Sequence, residues 1–148
     1  AGRGRALDAP VGLHGWPFTT ATALVARSFE IWTHADDIRR AIGAAPSAPD
    51  AEDLRTMSSF SVSTLPSVLP LVAPDTEFTG ARVVLTGAGG GTFDLGDRDQ
   101  RASLIVVDVV DYCRLAAKRI PVDSVDATIE GDERLATDLL AAAQVFSV

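Results

Sequence analysis

The sequence predicts an α+β fold: one long helix from a partial helical bundle, followed by a small α+β domain with a mainly antiparallel sheet. Between residues 19 and 42, apolar residues recur at helical spacing with no glycine or proline. From residue 77 onward, short β-rich runs alternate with glycine-containing turns. We therefore divide the chain into a bundle part with its linker, residues 1–73, and an α+β domain, residues 74–148.

Composition supports a folded chain and excludes several classes of function. The hydrophobic fraction of 47% and the charged fraction of 22% are close to globular averages. The formal net charge of −7 argues against nucleic acid as the main partner. No apolar run reaches the length of a membrane-spanning helix, so no membrane partner is expected. The single cysteine, Cys113, excludes an internal disulfide and fits a reducing cytoplasm.

The first 18 residues are predicted to form a loop, because six glycine and proline residues interrupt every regular period. A helix then begins at Thr19 or Thr20, since a threonine hydroxyl accepts a hydrogen bond from the free amides of a first turn. The helix runs through Ile42 and ends at Gly43, the residue type that most readily adopts the left-handed conformation after a helix.

This long helix is amphipathic. At about 100° per residue, five apolar side chains form one stripe along it: Leu24, Ile31, Ala35, Ile38 and Ile42. Glu30 and His34 lie along one edge of the stripe, whereas Phe29 and Trp32 lie on other faces. A helix with apolar groups on several sides is expected to be covered on more than one side, as in a helical bundle.

The middle of the chain is predicted to be less regular. Residues 44–53 form a linker rich in alanine, proline and acidic residues. A short helix follows from about Asp53 to Leu65. Pro66 and Pro70 then break the remaining apolar segment, because proline lacks the amide hydrogen that a helix interior needs.

The second half predicts a small α+β domain. Residues 81–86 and 92–95 are β-rich, and the glycine run between them, residues 87–91, predicts a hairpin turn. The remaining predicted elements follow in order: a charged loop at 96–101, a strand at 103–107, a helix ending near Arg119, a strand at 125–130 and a last helix capped by Asp132.

Glu30 and His34 are the first candidates for chemistry. Their separation of four residues places both side chains on one face of a helix, about 5–6 Å apart at Cβ. A carboxylate and an imidazole at this spacing can share Zn²⁺ or a similar ion, and metal sites in bundles are completed from facing helices. The same spacing also occurs in Glu–His contacts on helix surfaces, so spacing alone leaves both interpretations open.

Other residues have structural interpretations beside functional ones. His14 lies in a glycine-rich loop and is expected to be exposed. Cys113 lies among apolar helix residues and is expected to be a buried structural thiol. The run Gly87–Gly91 lacks the Lys-Ser/Thr of a phosphate-binding loop, which favours a hairpin turn. Arg119 could bind an acidic ligand or form surface ion pairs.

Residues 27–43, RSFEIWTHADDIRRAIG, resemble the metal-binding helix of the mycothiol-dependent maleylpyruvate isomerase family, part of the wider DinB-like superfamily. The matching positions are Arg27, Glu30, Trp32, His34, Asp37, Ile38 and Ala41–Gly43. The second half resembles that family's sterol-carrier-like α+β domain through VLTG at 84–87, DYCRLAAKR at 111–119 and EGD at 130–132.

The resemblance implies a four-helix bundle that binds a divalent metal, typically zinc, through one glutamate and two histidines. Glu30 and His34 match two of these ligands. The remaining histidine belongs to an earlier helix that this chain does not contain, and we therefore expect the chain to be a C-terminal fragment. An arginine of the family's second domain, needed for activity or folding, is matched by Arg119; Lys118 stands where relatives often carry glycine.

The implied function is part of a metal-dependent and mycothiol-dependent isomerase or thiol transferase from an actinobacterial cytoplasm. Its partners are a small-molecule substrate and mycothiol, a low-molecular-weight thiol. The thiolate adds to a cis double bond, rotation follows, and elimination gives the trans product; the metal polarises the substrate or lowers the thiol pKa. Two alternatives stay open: a non-catalytic ligand- or partner-binding module that uses the sterol-carrier-like domain, and a degenerate family member without metal.

Overall fold

The computed structural model describes residues 6–13 and 16–145. The chain forms two compact units, residues 1–47 and residues 48–148. Helices and a mainly antiparallel sheet make this an α+β fold, as the sequence predicts. None of the helices in the described part of the chain has the length and apolarity needed to cross a membrane.

The first unit opens with a hairpin that the sequence does not predict. Strand β1 is Pro10–Leu13 and strand β2 is Trp16–Thr19, and they pair antiparallel with Gly12 opposite Pro17. The predicted loop over residues 1–18 is therefore wrong for these two strands. A two-stranded ribbon has open edges on both sides, and edge positions tolerate a proline that cannot donate a hydrogen bond. Residues 1–5, 14 and 15 lie outside the described part.

Helix α1, Thr20–Ala41, confirms the predicted long helix. Thr19 is its N-cap, and the Thr19 hydroxyl accepts a hydrogen bond from the Thr22 amide at 3.2 Å. Gly43 follows the helix with a φ of +69°, the left-handed conformation expected of glycine at this position. Both ends of α1 are thus set by residues whose local chemistry the sequence reveals.

Helix α2, Ala51–Val72, corrects the prediction of a short helix with a broken tail. Asp50 caps it by accepting from the amides of Glu52 and Asp53. Pro66 and Pro70 lie inside the helix, where a proline costs roughly 3 kcal/mol. Packing offsets this cost, because the helix after Leu65 buries further apolar side chains, each contributing about 1.5–3 kcal/mol: Val68 and Leu69.

A four-stranded sheet forms the centre of the second unit, with strand order β4-β3-β5-β6. Strands β3 and β4 form the predicted hairpin, β3 and β5 run parallel, and β5 and β6 run antiparallel. The bounds are β3 Gly80–Thr86, β4 Gly91–Gly96, β5 Ser103–Asp108 and β6 Ala127–Gly131, with helices α3 Val109–Ala116 and α4 Glu133–Ala142 and a short 3-10 helix Val122–Ser124.

The glycine run between β3 and β4 has a packing role. Gly89, with a φ of +84°, lies so close to the start of α2 that a Cβ atom there would be 2.4 Å from the Ala51 carbonyl oxygen. Arg55 Nη1 donates to the Gly90 carbonyl at 2.6 Å and ties the turn to α2. The run is thus a hairpin turn fitted against a helix, in agreement with the sequence interpretation.

Helix α2 belongs to the second unit. It packs against α3 and α4, and the hydroxyl groups of Ser61 and Tyr112 lie 3.0 Å apart in a buried hydrogen bond. The sequence places the division of the chain at residue 73, whereas the compact units divide at residue 47. Pro66 and Pro70 are residues typical of linkers, although the helix that contains them packs in the core of the second unit.

Candidate functional site

Glu30 and His34 lie one turn apart on α1, as the sequence predicts. The Glu30 side chain is 33% exposed, and Arg27 Nη1 donates to its Oε2 at 2.5 Å. The His34 side chain is 72% exposed, with Nδ1 3.9 Å from Asp37 Oδ2. This edge of α1 therefore carries two carboxylates, one imidazole and one guanidinium within three turns, all reachable from solvent.

The apolar stripe beside this pair is exposed. We call Leu24, Ile31, Ala35, Ile38 and Ile42 the α1 stripe. Ile31 is 70% exposed and Ile42 is 73% exposed. The sequence predicts that other helices cover these side chains, yet each of the five is exposed in this structure. A contiguous exposed apolar surface on a folded protein indicates a site of contact with another protein, a membrane or a ligand.

The polar side of α1 is buried instead. Thr33 is 7% exposed and Asp36 is 2% exposed. Asp36 Oδ2 accepts from Arg40 Nε at 3.0 Å, and Trp32 Nε1 donates to the Ser47 carbonyl at 3.0 Å. The first of these contacts lies within α1, and the second ties the helix to the segment that follows it.

The donor chemistry of Glu30 and His34 fits one half of a divalent-metal site. A carboxylate oxygen and an imidazole nitrogen are both zinc ligands, but protein zinc sites supply three or four such groups. Among residues 6–13 and 16–145, no cluster of three or more histidine, cysteine or acidic side chains could hold an ion. The other histidine, His14, lies outside the described residues.

Arg119 lies just after α3, in the second unit. Its Nη1 donates to the Ala117 carbonyl at 2.6 Å, and its amide donates to the Arg114 carbonyl at 2.8 Å. Lys118 before it adopts a φ of +57°, a left-handed conformation that favours glycine. In this structure Arg119 therefore helps to close the C-terminal end of α3.

Cys113 is a buried thiol, as predicted. It is fully buried, and burial raises its pKa to about 12. At neutral pH the thiol keeps its proton and lacks the thiolate character that nucleophilic cysteines need. The adjacent Tyr112 is also fully buried, and burial likewise raises its pKa. A nucleophilic thiol would therefore have to come from outside the chain.

Three arginines surround one aspartate at the β3–β4 hairpin, a cluster that the sequence did not single out. Arg82 donates to both carboxylate oxygens of Asp94, at 2.7 and 3.1 Å, and Arg98 and Arg101 approach the same carboxylate at 3.0 and 3.3 Å. The hydrogen bonds from Arg82 lower the pKa of Asp94. The hairpin register places Arg82 opposite Asp94, so the predicted hairpin carried the signal for this pair.

An open cleft of about 410 Å³ lies in the second unit, between the 3-10 helix, β6 and α4. Its lining mixes apolar and polar side chains: Val122, Asp123, Val125, Ala127, Ile129, Thr137 and Leu140. The volume is within the range of small-molecule sites. A small, partly apolar ligand could bind in this cleft.

Comparison with known proteins adds no relative. No family model, curated protein or solved structure matches this chain.

Proposed function

We propose that α1 carries one half of a divalent-metal site in a metal-dependent, mycothiol-dependent isomerase or thiol transferase of the maleylpyruvate isomerase type. One observation supports this proposal above the others: Glu30 and His34, a pair of zinc-type donors, border an exposed apolar stripe. A helix that packs on the α1 stripe covers this edge as well, and bundle metal sites are built from side chains on such facing helices.

Each residue of the pair has a defined part in the proposal. Glu30 supplies a carboxylate oxygen, and its ion pair with Arg27 holds the carboxylate on the outward edge. His34 in its neutral form supplies an imidazole nitrogen. A zinc-type ion bound there would lower the pKa of a coordinated thiol. The buried Cys113 does not serve as that thiol, so the nucleophile is the external low-molecular-weight thiol.

A metal-binding measurement tests the pair. We expect His34→Ala and Glu30→Gln to weaken binding of Zn²⁺ or Co²⁺ to the chain by more than the roughly 10–100-fold that loss of an outer-shell partner causes. Glu130→Gln is the matched control, because Glu130 is an exposed glutamate on β6, far from α1 in sequence. Equilibrium dialysis with metal analysis gives the affinities. Equal affinity in the wild-type protein and His34→Ala would falsify the proposal.

A non-catalytic binding module is the second candidate, and the cleft beside β6 is the observation that favours it. In that case the ligand is a small, partly apolar molecule held by the second unit, and α1 needs no metal. The two candidates differ in the dialysis experiment, because the binding module predicts the same metal content with and without His34.

A further inference from the structure

Strand β6 is one edge of the four-stranded sheet, and its outer side is unpaired. In the strand order β4-β3-β5-β6, the described strand that pairs with β6 is β5. Within the described part of the chain, no backbone group outside the sheet forms a hydrogen bond with Thr128, Ile129 or Glu130. Every second residue of an antiparallel strand turns its amide and carbonyl away from the neighbouring strand. The outer side of β6 therefore presents a row of unpaired backbone donors and acceptors.

The cleft of the second unit lies beside this edge. Ala127 and Ile129 of β6 line it together with side chains of α4. Because side chains alternate along a strand, Thr128 and Glu130 lie on the opposite face of β6, where both are exposed. A strand added to the edge would lie about 4.8 Å from β6 and would turn every second side chain to the face of Ala127 and Ile129. Those side chains would enter the cleft.

The surroundings of β6 are acidic. Arg134, the nearest basic residue after the strand, lies 3.8 Å from Asp138. None of the acidic residues at 122–133 forms an ion pair with a described basic side chain. A second copy of β6 would bring these like charges together, whereas a basic strand would be attracted to them. The segment 122–133 contains no basic residue and five acidic ones: Asp123, Asp126, Glu130, Asp132 and Glu133.

We propose that β6 and the cleft bind an extended basic segment of another protein, which adds to the sheet as a further strand. The backbone of this segment bonds to the outer side of β6, and apolar side chains at alternate positions enter the cleft. Lysine or arginine at the intervening positions lies beside Glu130. A small molecule in the cleft would leave the strand edge unpaired, whereas a peptide strand satisfies both. The inference goes beyond the proposed function, because it uses neither α1 nor a metal.

A peptide of alternating lysine and valine tests the chemistry of the partner. Fluorescence anisotropy of labelled KVKVKVK, titrated with the wild-type chain, should show saturable binding that weakens as salt is added. The peptide EVEVEVE has the same valines with the opposite charge, and it should not bind. Absence of saturable binding of KVKVKVK would overturn the inference, and equal binding of the two peptides would overturn the choice of a basic partner.

Methylation of the peptide backbone tests strand addition. The lysine amides of KVKVKVK all point to one side of an extended strand and the valine amides to the other. N-methylation of one of these two sets should abolish binding, because it removes the donors that face β6. N-methylation of the other set should leave the affinity within about twofold, because those amides face away from the sheet. Equal effects of the two modifications would overturn strand addition.

A pair of threonine variants tests the location of the peptide. Thr137 lines the cleft, whereas Thr56 is exposed on α2 outside it. The hydroxyl of each donates to the carbonyl four residues earlier, at 2.8 and 2.9 Å, so both substitutions lose the same local contact. Thr137→Trp should weaken binding of KVKVKVK by about tenfold or more, because it excludes an apolar side chain from the cleft. Thr56→Trp should leave the affinity unchanged.

A charge reversal on β6 gives a second test that leaves the cleft intact. Glu130→Lys should weaken binding of KVKVKVK by about tenfold, because a cross-strand attraction becomes a repulsion. Glu52→Lys is the matched control, since Glu52 is exposed at the start of α2 and the substitution changes the net charge equally. Circular dichroism verifies that each variant is folded. Wild-type affinity in folded Thr137→Trp or in folded Glu130→Lys would overturn the inference.

Discussion

Lys118 closes helix α3 in a backbone conformation that glycine adopts at lower cost. Its φ is +57°, and its amide donates to the Leu115 carbonyl at 2.9 Å while the next amide, that of Arg119, reaches back to Arg114. For a residue with a Cβ atom, the left-handed conformation costs about 1–2 kcal/mol. Glycine avoids this cost but loses about 0.5–1 kcal/mol through the greater freedom of the unfolded chain.

Lys118→Gly should therefore stabilise the protein by up to about 1.5 kcal/mol, the largest difference between these two effects. Lys118→Ala is the control, because alanine removes the same side chain and keeps the strained φ, so it should bring no gain. Urea unfolding followed by circular dichroism measures both variants. A glycine variant less stable than the alanine variant would show that the left-handed φ is not the source of strain.

At the scale of residues, sequence reasoning succeeds where a local contact decides the structure. The Thr19 cap, the Gly43 end and the Asp132 cap depend on atoms within a few residues, and all three are confirmed. The burial of Cys113 follows from its apolar helix neighbours and is also confirmed. The conformation of Lys118 could not be predicted in this way, because lysine seldom adopts a positive φ.

At the scale of elements, helix α2 continues through two prolines because its C-terminal half is packed. Leu69 is 1% exposed and Leu71 is 59% exposed, although both lie between Pro66 and the end of the helix. Proline weakens a helix through the backbone, because it lacks an amide hydrogen. Helix α2 is nevertheless held in place by side chains that contact the rest of the second unit. A sequence pattern does not reveal those contacts, and this is why the predicted break at Pro66 is wrong.

Leu69→Ala should destabilise the protein by about 2–5 kcal/mol, the range for truncating a fully buried leucine. Leu71→Ala, the same chemical change two residues further on, should stay within about 0.5 kcal/mol of the wild-type protein. Chemical denaturation gives both values. Similar losses for the two variants would mean that helix propensity, and not packing, holds the segment after Pro66.

The two hairpins show the same contrast between local and distant causes. The hairpin of β3 and β4 is confirmed, since its strands are β-rich and a glycine run joins them. The hairpin of β1 and β2 is missed, because Pro10, Gly12 and Pro17 are residues that usually interrupt strands. Position in a two-stranded ribbon, and not residue type, decides whether such residues are tolerated.

At the scale of the whole molecule, the apolar core lies within the second unit. Among the side chains that the structure describes, which leave out residues 13–18, the buried apolar ones lie between Leu54 and Ala143, whereas the buried ones of the first unit are Thr33 and Asp36. The sequence predicts the α+β class correctly because apolar residues recur at helical spacing in the first half, whereas β-rich runs alternate with turns in the second half. It predicts a covered α1 stripe, whereas the five side chains of that stripe are exposed.

The sequence predicts the candidate site only as far as contacts within one helix. Spacing and resemblance are enough to select Glu30 and His34, since both lie within two turns of one helix. Under the proposed function, another helix would supply the remaining metal ligands, and the pattern of one helix does not identify its partner. The exposed stripe, visible only in the structure, indicates which side of α1 such a partner contacts.

This distribution of the core predicts that residues 48–148 fold without the first unit. The second unit contains the complete four-stranded sheet, helices α2 to α4 and the buried apolar side chains, so a polypeptide of residues 48–148 should unfold cooperatively. Urea denaturation followed by near-ultraviolet circular dichroism checks this expectation. A polypeptide without fixed tertiary signals would show that the second unit depends on the first for its stability.

A polypeptide of residues 1–47 should behave in the opposite way. Most helical stability in proteins comes from packing of an amphipathic face and not from helix propensity, so the 22-residue α1 should lose helicity when it is cut from the rest of the chain. Far-ultraviolet circular dichroism of this polypeptide should therefore show less helix than the 22 residues of α1 would give. Helicity that is high and independent of concentration would show that α1 needs no partner, and the exposed stripe would then have to serve some other contact.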